Sequence, residues 1–158
     1  MMAQSRIVVS SSYCCQLLIC EAREGDIPAI KKIFRANKRY LGFTTWPILS
    51  SSIAKSELHV AVFCEHIVGF IRWHRRRDGW STVYELCVDE PYRGRGVGRM
   101  LMQVIGTGPA KLKCHTANPA LKFYDLLGFR TGGRVVTKGG IKLSFLMRNN
   151  GRLSVPER

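Results

Sequence analysis

The fold of this chain is decided by residues 84–102, whose sequence is YELCVDEPYRGRGVGRMLM. Its apolar alternation predicts a strand that ends at Val88, and the proline and three glycines that follow predict a turn. The spacing of Val97, Met100 and Leu101 then predicts a helix that begins inside this turn. Glycines let a ligand approach the backbone closely, and the first amides of a helix lack partners within the helix. The segment is therefore predicted to bind an anion such as a pyrophosphate.

Two familiar nucleotide-binding motifs do not match this turn. A P-loop ends in Gly-Lys-Ser/Thr, whereas Gly98 is followed here by Arg99. The dinucleotide fingerprint G-x-G-x-x-G needs a different spacing from that of Gly94, Gly96 and Gly98, and it lies early in a βαβ unit. Both of these classes of site are therefore excluded.

The rest of the chain has the apolar periodicity of an α/β or α+β domain with a mixed sheet. The first helix is predicted to begin after Asp26, the expected N-cap, with Pro28 in its first turn. In chain order, the predicted elements are a strand at 16–21, a helix from 27 with apolar positions 27, 30, 33 and 34, a loop with a short helix over 38–55, strands at 58–64, 67–73 and 82–88, a helix over 97–105, a strand at 111–114, a helix at 119–127, and strands at 129–137 and 141–147.

The length and composition are those of one soluble globular domain. The chain has 158 residues, a hydrophobic fraction of 46% and a charged fraction of 23%. No apolar run approaches the roughly 20 residues needed to cross a bilayer. We therefore expect a cytoplasmic protein without a membrane partner, with a disordered tip at 1–12, one domain at 13–148 and a tail at 149–158.

Charge is the abnormal feature of the composition. Twenty-five Lys and Arg residues against eleven Asp and Glu residues give a formal net charge of +14. Such a surface attracts a phosphate-bearing cofactor, nucleic acid or another acidic surface. Excess charge also keeps a protein soluble without any specific partner, so the charge narrows the class of partner and does not name one.

The six cysteines do not indicate a metal site. None forms a C-x-x-C pair, and no Cys/His spacing is that of a zinc ligand set. Cys64, Cys87 and Cys114 lie in strand-like apolar sequence, where a reduced cysteine behaves as a small hydrophobic residue. We therefore predict neither a metal nor a disulfide framework.

Two motifs in this sequence resemble those of the GCN5-related N-acetyltransferase (GNAT) superfamily. The first is Arg93-x-x-Gly96-x-Gly98, directly after the predicted strand. The second is NPALKFYDLLGF at residues 118–129, with an Asn, an Ala two residues on, an aromatic-Tyr pair and a Gly-Phe. The resemblance spans roughly residues 17–148. It implies the GNAT fold, a central mixed and mostly antiparallel sheet of about seven strands flanked by about four helices.

The resemblance implies direct transfer of an acetyl group from acetyl-CoA to an amine. The turn amides would bind the pyrophosphate, the preceding strand would splay from its neighbour to receive the pantetheine arm, and an Asn would contact that arm. The residues that the resemblance assigns to the cofactor are Leu86, Cys87, Val88, Arg93, Gly94, Arg95, Gly96, Val97, Gly98 and Asn118.

Two residues are candidates for proton transfer. Tyr124 matches the tyrosine that protonates the leaving thiolate in the family; the alternative is a half-buried tyrosine that only packs on the sheet. Glu85, on the strand before the turn, could take the proton of the ammonium acceptor through water; the alternative is a carboxylate paired with an arginine. Strand alternation places Thr82 and Tyr84 on the face opposite Glu85. His115 is another possible proton carrier, but a lone histidine at a strand end is more often structural, so His115 and His74 are left out of the catalytic set.

The class of acceptor is predicted from the charge of two segments. The family takes acceptor residues from the early helices and the last hairpin, here 35–46 and 134–142, and both segments are cationic. An amine that also carries a carboxylate or phosphate therefore fits better than a polyamine. The run 72–80 interleaves arginines with Trp and His, which is typical of a nucleic-acid surface and also of a solvated hairpin.

Two alternatives to a small-amine acetyltransferase follow from that run and from the fold. One is a nucleic-acid-directed GNAT-fold protein that modifies a tRNA or DNA base; the other is a catalytically weak GNAT-like binding module. A homodimer is compatible with the sequence in each case.

Overall fold

The computed structural model describes residues 16–149 as one seven-stranded sheet with helices on both of its faces. Its elements are β1 (Leu18–Glu21), α1 (Ile27–Ala36), α2 (Trp46–Ala54), β2 (Leu58–Phe63), β3 (His66–Arg75), β4 (Ser81–Val88), α3 (Val97–Gln103), β5 (Ala110–His115), α4 (Leu121–Leu126), β6 (Arg130–Val136) and β7 (Lys142–Arg148), with 3₁₀ turns at Glu24–Asp26 and Glu90–Tyr92. The strand order is β1-β2-β3-β4-β5-β7-β6, and β4 and β5 form the parallel pair of an otherwise antiparallel sheet. The predicted fold, a mixed and mostly antiparallel sheet with four helices, is confirmed within these residues.

The predicted ends of the chain lie largely outside this description. The expected tip at 1–12 falls outside the described residues, and of the expected tail at 149–158 only residue 149 is described. In the part that is described, no helix is long and apolar enough to cross a bilayer.

Two apolar cores cover the two faces of the sheet. On one face, α1 packs its predicted apolar positions Ile27, Ile30, Ile33 and Phe34 against the sheet, where all four are buried. On the other face, α3 and α4 cover a second core that contains Leu101, Ile105 and Phe129. Each helix pair therefore holds one face of the central strands dry and rigid.

Local turn chemistry differs from the prediction in two places. Asp26 is the N-cap residue of α1, but the predicted side-chain cap is absent. Its carboxylate instead accepts from the Arg23 amide at 2.8 Å and closes the 3₁₀ turn. The β2–β3 hairpin turns on Cys64 and Glu65, with φ of 47° and 66°, one residue earlier than predicted. Positive φ at both positions fits the twist of a two-residue hairpin loop.

Of the three cysteines predicted to be reduced hydrophobic residues, two follow the prediction. Cys87 and Cys114 are free thiols buried in the sheet, as expected of small hydrophobic residues. Cys64 is disulfide-bonded, so its interpretation as a reduced hydrophobic residue is wrong. Cys64 lies in the hairpin turn rather than within a strand, and the residue is half-buried.

The parallel strands β4 and β5 pair over only three residues. Ser81, Thr82 and Val83 lie opposite 110–112 of β5, and the pairing ends there. The later residues of β4 thus have backbone groups on that side with no β5 partner, and a gap opens between the two strands. Because unpaired strand groups need hydrogen-bond partners, this part of β4 has backbone groups able to bind an added group.

Candidate active site

The glycine loop continues β4 through the 3₁₀ turn and leads into α3. Gly94 and Gly96 have φ of 72° and 82°, the left-handed region that favours glycine. A Cβ placed on either residue would meet no atom within 4 Å. The loop therefore needs glycine for its backbone path, and the space in front of it is open.

The amides of this loop are left without backbone acceptors. The first helical hydrogen bond of α3 runs from the Met100 amide to the Gly96 carbonyl, at 3.0 Å. Within residues 16–149, the amides of Gly94 to Arg99 donate to no backbone carbonyl. The Arg93 amide, by contrast, donates to the Glu90 carbonyl at 3.2 Å and is occupied. The run of amides without backbone acceptors thus begins at Gly94 and does not include the Arg93 amide.

The Arg93 side chain holds the loop in place. Its Nε donates to the Val88 carbonyl at 3.0 Å, and its Nη2 donates to the Asn37 side chain at the end of α1. Asn37 in turn donates to the Ile33 carbonyl at 2.8 Å. Arg93 therefore ties the loop both to the last residue of β4 and to α1, while Arg95 remains exposed beside it.

The end of the loop is also the packing seam between α3 and α4. Val97 is buried in the core, so only its amide can reach a ligand. A Cβ on Gly98 would lie 3.2 Å from the Phe123 ring of α4, closer than most real contacts. Gly98 therefore allows close packing of α3 on α4, whereas the two upstream glycines are favoured by their backbone conformation.

The predicted pantetheine strand is buried through its side chains and open through its backbone. Leu86 and Val88 pack toward α3, whereas Cys87 is buried on the α1 face. Burial raises the pKa of the Cys87 thiol to about 11, with Arg93 lowering it and Asp89 raising it to smaller extents. Cys87 therefore stays a neutral thiol at neutral pH, and the backbone of this strand is what a ligand can bind.

Tyr124 lies beneath the gap between the two parallel strands. It is 7% exposed and packs edge-on against Phe123 and Phe129, with ring centroids 5.2 and 5.8 Å away. Burial raises the pKa of its hydroxyl well above the usual 10, and the thiols of Cys114 on β5 and Cys87 on β4 raise it further. The hydroxyl is therefore held protonated beside both strands that part at the gap.

Asn118 connects the end of β5 to the start of α4. Its Oδ1 accepts from the Ala120 amide at 2.9 Å, and its side chain hydrogen bonds to the Cys114 thiol. Burial raises the pKa of Cys114 to about 11, and the hydrogen bond from Asn118 lowers it in part. Asn118 is thus positioned at the edge of the gap with part of its hydrogen-bonding capacity used by the protein.

Glu85 is held in a buried ion pair with Arg72 of β3. The Arg72 Nε and Nη2 donate to the two carboxylate oxygens at 2.5 and 2.8 Å, and the side chains are 16% and 7% exposed. This two-bond geometry is the strongest form of the Arg–carboxylate contact. The arrangement is that of the alternative interpretation, a carboxylate paired with an arginine.

The family model of the acetyltransferase (GNAT) domain matches residues 54–131. The matched segment contains the glycine loop, the gap between β4 and β5, and the whole of α4. The chain belongs to the GNAT superfamily. Its domain is that of an N-acetyltransferase, and the resemblance in the two sequence motifs is confirmed at the level of the family.

Solved GNAT structures share the fold over most of the chain. Ard1 from Thermoplasma volcanium is 19% identical with a TM-score of 0.75, covering 84% of this chain and 96% of Ard1. N-acetylglutamate synthase from Neisseria gonorrhoeae, complexed with coenzyme A and N-acetyl-glutamate, is 18% identical with a TM-score of 0.72 and covers 89% and 37% of the two chains. The ribosomal-protein-S18-alanine N-acetyltransferase from Escherichia coli is 17% identical with a TM-score of 0.67, covering 90% and 99%. No curated protein matches the chain.

The GNAT domain also has a polar cavity that sequence reasoning missed. Its volume is about 480 Å³, and it lies on the α2 face at the end of the sheet where β4 begins. The lining residues are Pro47, Ile48, Ser51, Ser52, Lys55, Glu57, Arg72, His74 and Tyr84. These residues come from α2, from the segment before β2, and from β3 and β4, so no local pattern in the sequence reveals the cavity.

A bulge in the sheet brings Tyr84 into this cavity. Arg72 lies opposite Glu85 and the next residue of β3 lies opposite Val83, so Tyr84 has no partner of its own in β3. The Arg72 guanidinium stands 4.5 Å from the centre of the Tyr84 ring while it also bonds Glu85. The predicted placement of Tyr84 on the face opposite Glu85 is therefore wrong, because the extra residue breaks strand alternation.

The arginine-rich run 72–80 is largely occupied within the protein. The Arg75 Nη2 donates to the Ile105 carbonyl at 3.2 Å, and Arg76 pairs with Asp78 at 3.4 Å across the turn. Together with the Arg72–Glu85 pair, these contacts make the run a structured hairpin. His115 is likewise structural, because its Nδ1 accepts from the Ala117 amide at 3.0 Å.

Proposed function

We propose that this GNAT domain transfers the acetyl group of acetyl-CoA directly to an amine. The observation that carries the proposal is the row of loop amides without acceptors, placed at the end of a strand that has parted from its neighbour. Backbone amides of this kind favour a phosphate, and the +14 net charge adds to the attraction. Acetyl-CoA is the acyl donor, in line with the coenzyme A bound by the Neisseria enzyme of the same fold.

The cofactor would lie along β4 with its phosphates at the loop. The amides from Gly94 to Gly98 bind the pyrophosphate, and the exposed Arg95 and Arg99 side chains supply positive charge around it. The unpaired backbone groups of residues 86–88 hydrogen bond to the amides of the pantetheine arm. The arm thus pairs with β4 in the way that an added strand would. This direction places the thioester near the start of the gap, where β4 leaves β5.

Tyr124 would act as the acid in the second half of the reaction. Collapse of the tetrahedral intermediate breaks the C–S bond and leaves a thiolate that needs a proton. The hydroxyl of Tyr124 is kept protonated by burial and lies beside both parted strands. Its packing between two aromatic rings fixes the direction in which it can donate.

Glu85 remains a predicted base, and its surroundings favour another role. Both carboxylate oxygens accept from Arg72, so the carboxylate would have to leave a charge-assisted pair to take a proton. Held as it is, Glu85 orients Arg72 at the wall of the cavity. Arg72 then offers positive charge to the acceptor.

The cavity favours an amine that also carries an anionic group. The cationic side chains of Lys55 and Arg72 line it with the hydroxyls of Ser51 and Ser52. These groups can bind a carboxylate or phosphate, whereas a polycationic amine would meet repulsion. The arginine-rich hairpin, being bonded within the protein, adds no specific support for a nucleic-acid substrate.

The cofactor site is tested by calorimetric titration with acetyl-CoA. Gly96→Glu places a carboxylate where the pyrophosphate is proposed to bind, so binding seen in the wild type should be lost. The matched control is Gly79→Glu, because Gly79 has a φ of 84° and open space around it but lies in the β3–β4 hairpin. Equal loss in both variants, or no wild-type binding, would count against the site.

Transfer is tested by release of CoA thiol with a panel of the twenty amino acids and phosphoethanolamine. Tyr124→Phe should lower turnover with the best of these acceptors at least about 100-fold while leaving acetyl-CoA binding intact. The ring and its packing are retained in this variant, so a loss reports on the hydroxyl. Unchanged turnover would remove Tyr124 from the mechanism.

A further inference from the structure

The cavity contains a carboxylate–imidazole pair that no sequence motif indicated. Glu57, just before β2, bonds through Oε1 to Nδ1 of His74, near the end of β3. The backbone holds the pair together, since the Trp73 amide donates to the Glu57 carbonyl at 2.9 Å. A carboxylate only accepts hydrogen bonds, so Nδ1 carries the proton and Nε2 presents its lone pair.

The free nitrogen of this pair is available to a ligand. Among the described residues, His74 Nε2 has no hydrogen-bond partner, and the side chain is 43% exposed. The ring lines the same cavity as Lys55, Arg72 and Tyr84, the charged and titratable groups that face it besides Glu57. Of the two carboxylates near this cavity, Glu85 pairs with Arg72 and Glu57 pairs with His74.

The cavity adjoins the point at which the parallel strands separate. Tyr84, which lines it, is the first residue of β4 beyond the last β5 pair, at Val83. His74 lies opposite Thr82 in the sheet, two residues before Tyr84. A cofactor that extends from the glycine loop along residues 86–88 points its reactive end at this cavity.

We infer that His74, oriented by Glu57, is the general base that deprotonates the amine acceptor in this cavity. This inference rests on the proposed acetyl transfer. Nε2 takes one proton from the ammonium, and the free amine attacks the thioester carbonyl carbon to form the C–N bond. The C–S bond then breaks, and the thiolate takes a proton from Tyr124. The second nitrogen proton leaves to water, Tyr124 is reprotonated from water, and His74 releases its proton, so one proton is released per amide formed.

The test compares His74→Gln with wild type, using the best acceptor of the amino-acid and phosphoethanolamine panel. At pH 7 we expect kcat/KM to fall at least about 100-fold, with acetyl-CoA binding by calorimetry unchanged. The loss should shrink by about tenfold for each pH unit toward the pKa of the amine, because the acceptor is then already unprotonated. A loss that is the same at every pH would overturn the base role.

Four further variants separate the base from a merely structural histidine. Imidazole added to His74→Ala should restore part of the turnover, since the cavity then has room for the ring. Glu57→Gln should lower kcat about tenfold and Glu57→Asp should recover part of it, as expected of a positioning residue. His66→Gln, on an exposed histidine at the other end of β3, should change nothing.

The outcomes distinguish this inference from the proposed function. Wild-type turnover that is unaffected by His74→Gln leaves the acetyltransferase proposal standing and overturns the inference. Wild type that binds acetyl-CoA but acetylates no member of the panel overturns the proposed acceptor class, and the inference with it. If the wild type does not bind acetyl-CoA, the proposed cofactor site is overturned, and the inference that rests on it is overturned as well.

Discussion

The glycine loop and the polar cavity are two halves of one candidate site, and they are built in opposite ways. The loop is six consecutive residues, Arg93 to Gly98, and acts through backbone amides. The cavity joins side chains from α2, from the segment before β2, and from β3 and β4. Backbone sites leave a local signature because they need glycine; side-chain sites assembled from distant segments leave none. The comparison predicts that changes near the cavity alter acceptor use and stability, and changes near the loop alter cofactor affinity.

The largest effect is expected at the cavity wall, in Arg72→Met. The substitution leaves Glu85 buried without a partner, which typically costs about 3–5 kcal/mol of unfolding free energy. Urea unfolding monitored by tryptophan fluorescence measures it. Arg76→Met, which removes an exposed pair with Asp78, should cost less than about 1 kcal/mol. Replacing Arg72 and Glu85 together by Met and Leu should restore most of the loss.

The next largest effect is a decrease in the unfolding free energy at alkaline pH, caused by three buried groups beside the gap. Burial raises the pKa of the Cys87 and Cys114 thiols to about 11 from 9.0, and raises that of Tyr124 from 10. The unfolded chain releases these protons first, so the stabilisation is complete below about pH 9 and falls as pH rises toward 11. Each group contributes up to about 1.4 kcal/mol per pH unit. Urea unfolding at pH 8, 9.5 and 10.5 measures the decline, and Cys114→Ala should make it shallower.

A smaller effect is expected when the loop loses its side-chain anchor. Arg93→Ala removes the hydrogen bonds to the Val88 carbonyl and to Asn37. Because a hydrogen bond from a charged group is worth about 1.5–3 kcal/mol, acetyl-CoA affinity should fall about tenfold or more. Calorimetry measures the change. Asn37→Ala, which removes one of the two contacts, should give a smaller decrease; unchanged affinity in both would show that the loop holds its path without Arg93.

The smallest effect is expected at the start of α2, which carries one wall of the cavity. The Thr45 hydroxyl accepts from the Ile48 amide at 3.5 Å, so Thr45→Ala should cost about 1 kcal/mol or less of stability. The acceptor KM should rise while acetyl-CoA affinity stays the same. Thr44→Val is the matched control, because the buried Thr44 hydroxyl has no hydrogen-bond partner among the described residues. That variant should be neutral or stabilising.

The sequence predicted the elements better than it predicted their junctions. The apolar spacing of Ile27, Ile30, Ile33 and Phe34 located α1, because periodicity follows directly from burial on one face. Asp26 is the N-cap residue of α1 as predicted, but its carboxylate accepts from the Arg23 amide instead of capping the helix. The β2–β3 turn lies one residue earlier than predicted. Junctions depend on which of several equivalent polar partners the packed chain brings close, and composition does not specify that choice.

The same division holds within the site. The loop and the strand before it were located from their glycines and apolar alternation, and the GNAT family model covers both. The positions of Tyr84 and His74 could not be predicted. A bulge moved the tyrosine to the cavity face, and the histidine acquired its carboxylate from a residue 17 positions earlier in the chain.

By itself, then, the sequence determined the fold and the place of the glycine turn that we propose to bind phosphate. These depend on properties that each residue carries locally: apolar periodicity selects helices and strands, and glycine permits a positive φ. Only the tertiary structure decided which charged side chains pair, because Arg72 with Glu85 and Glu57 with His74 meet through strand register. Register is set by packing on both faces of the sheet at once, so a single extra residue at Tyr84 reassigns the side chains that share the cavity.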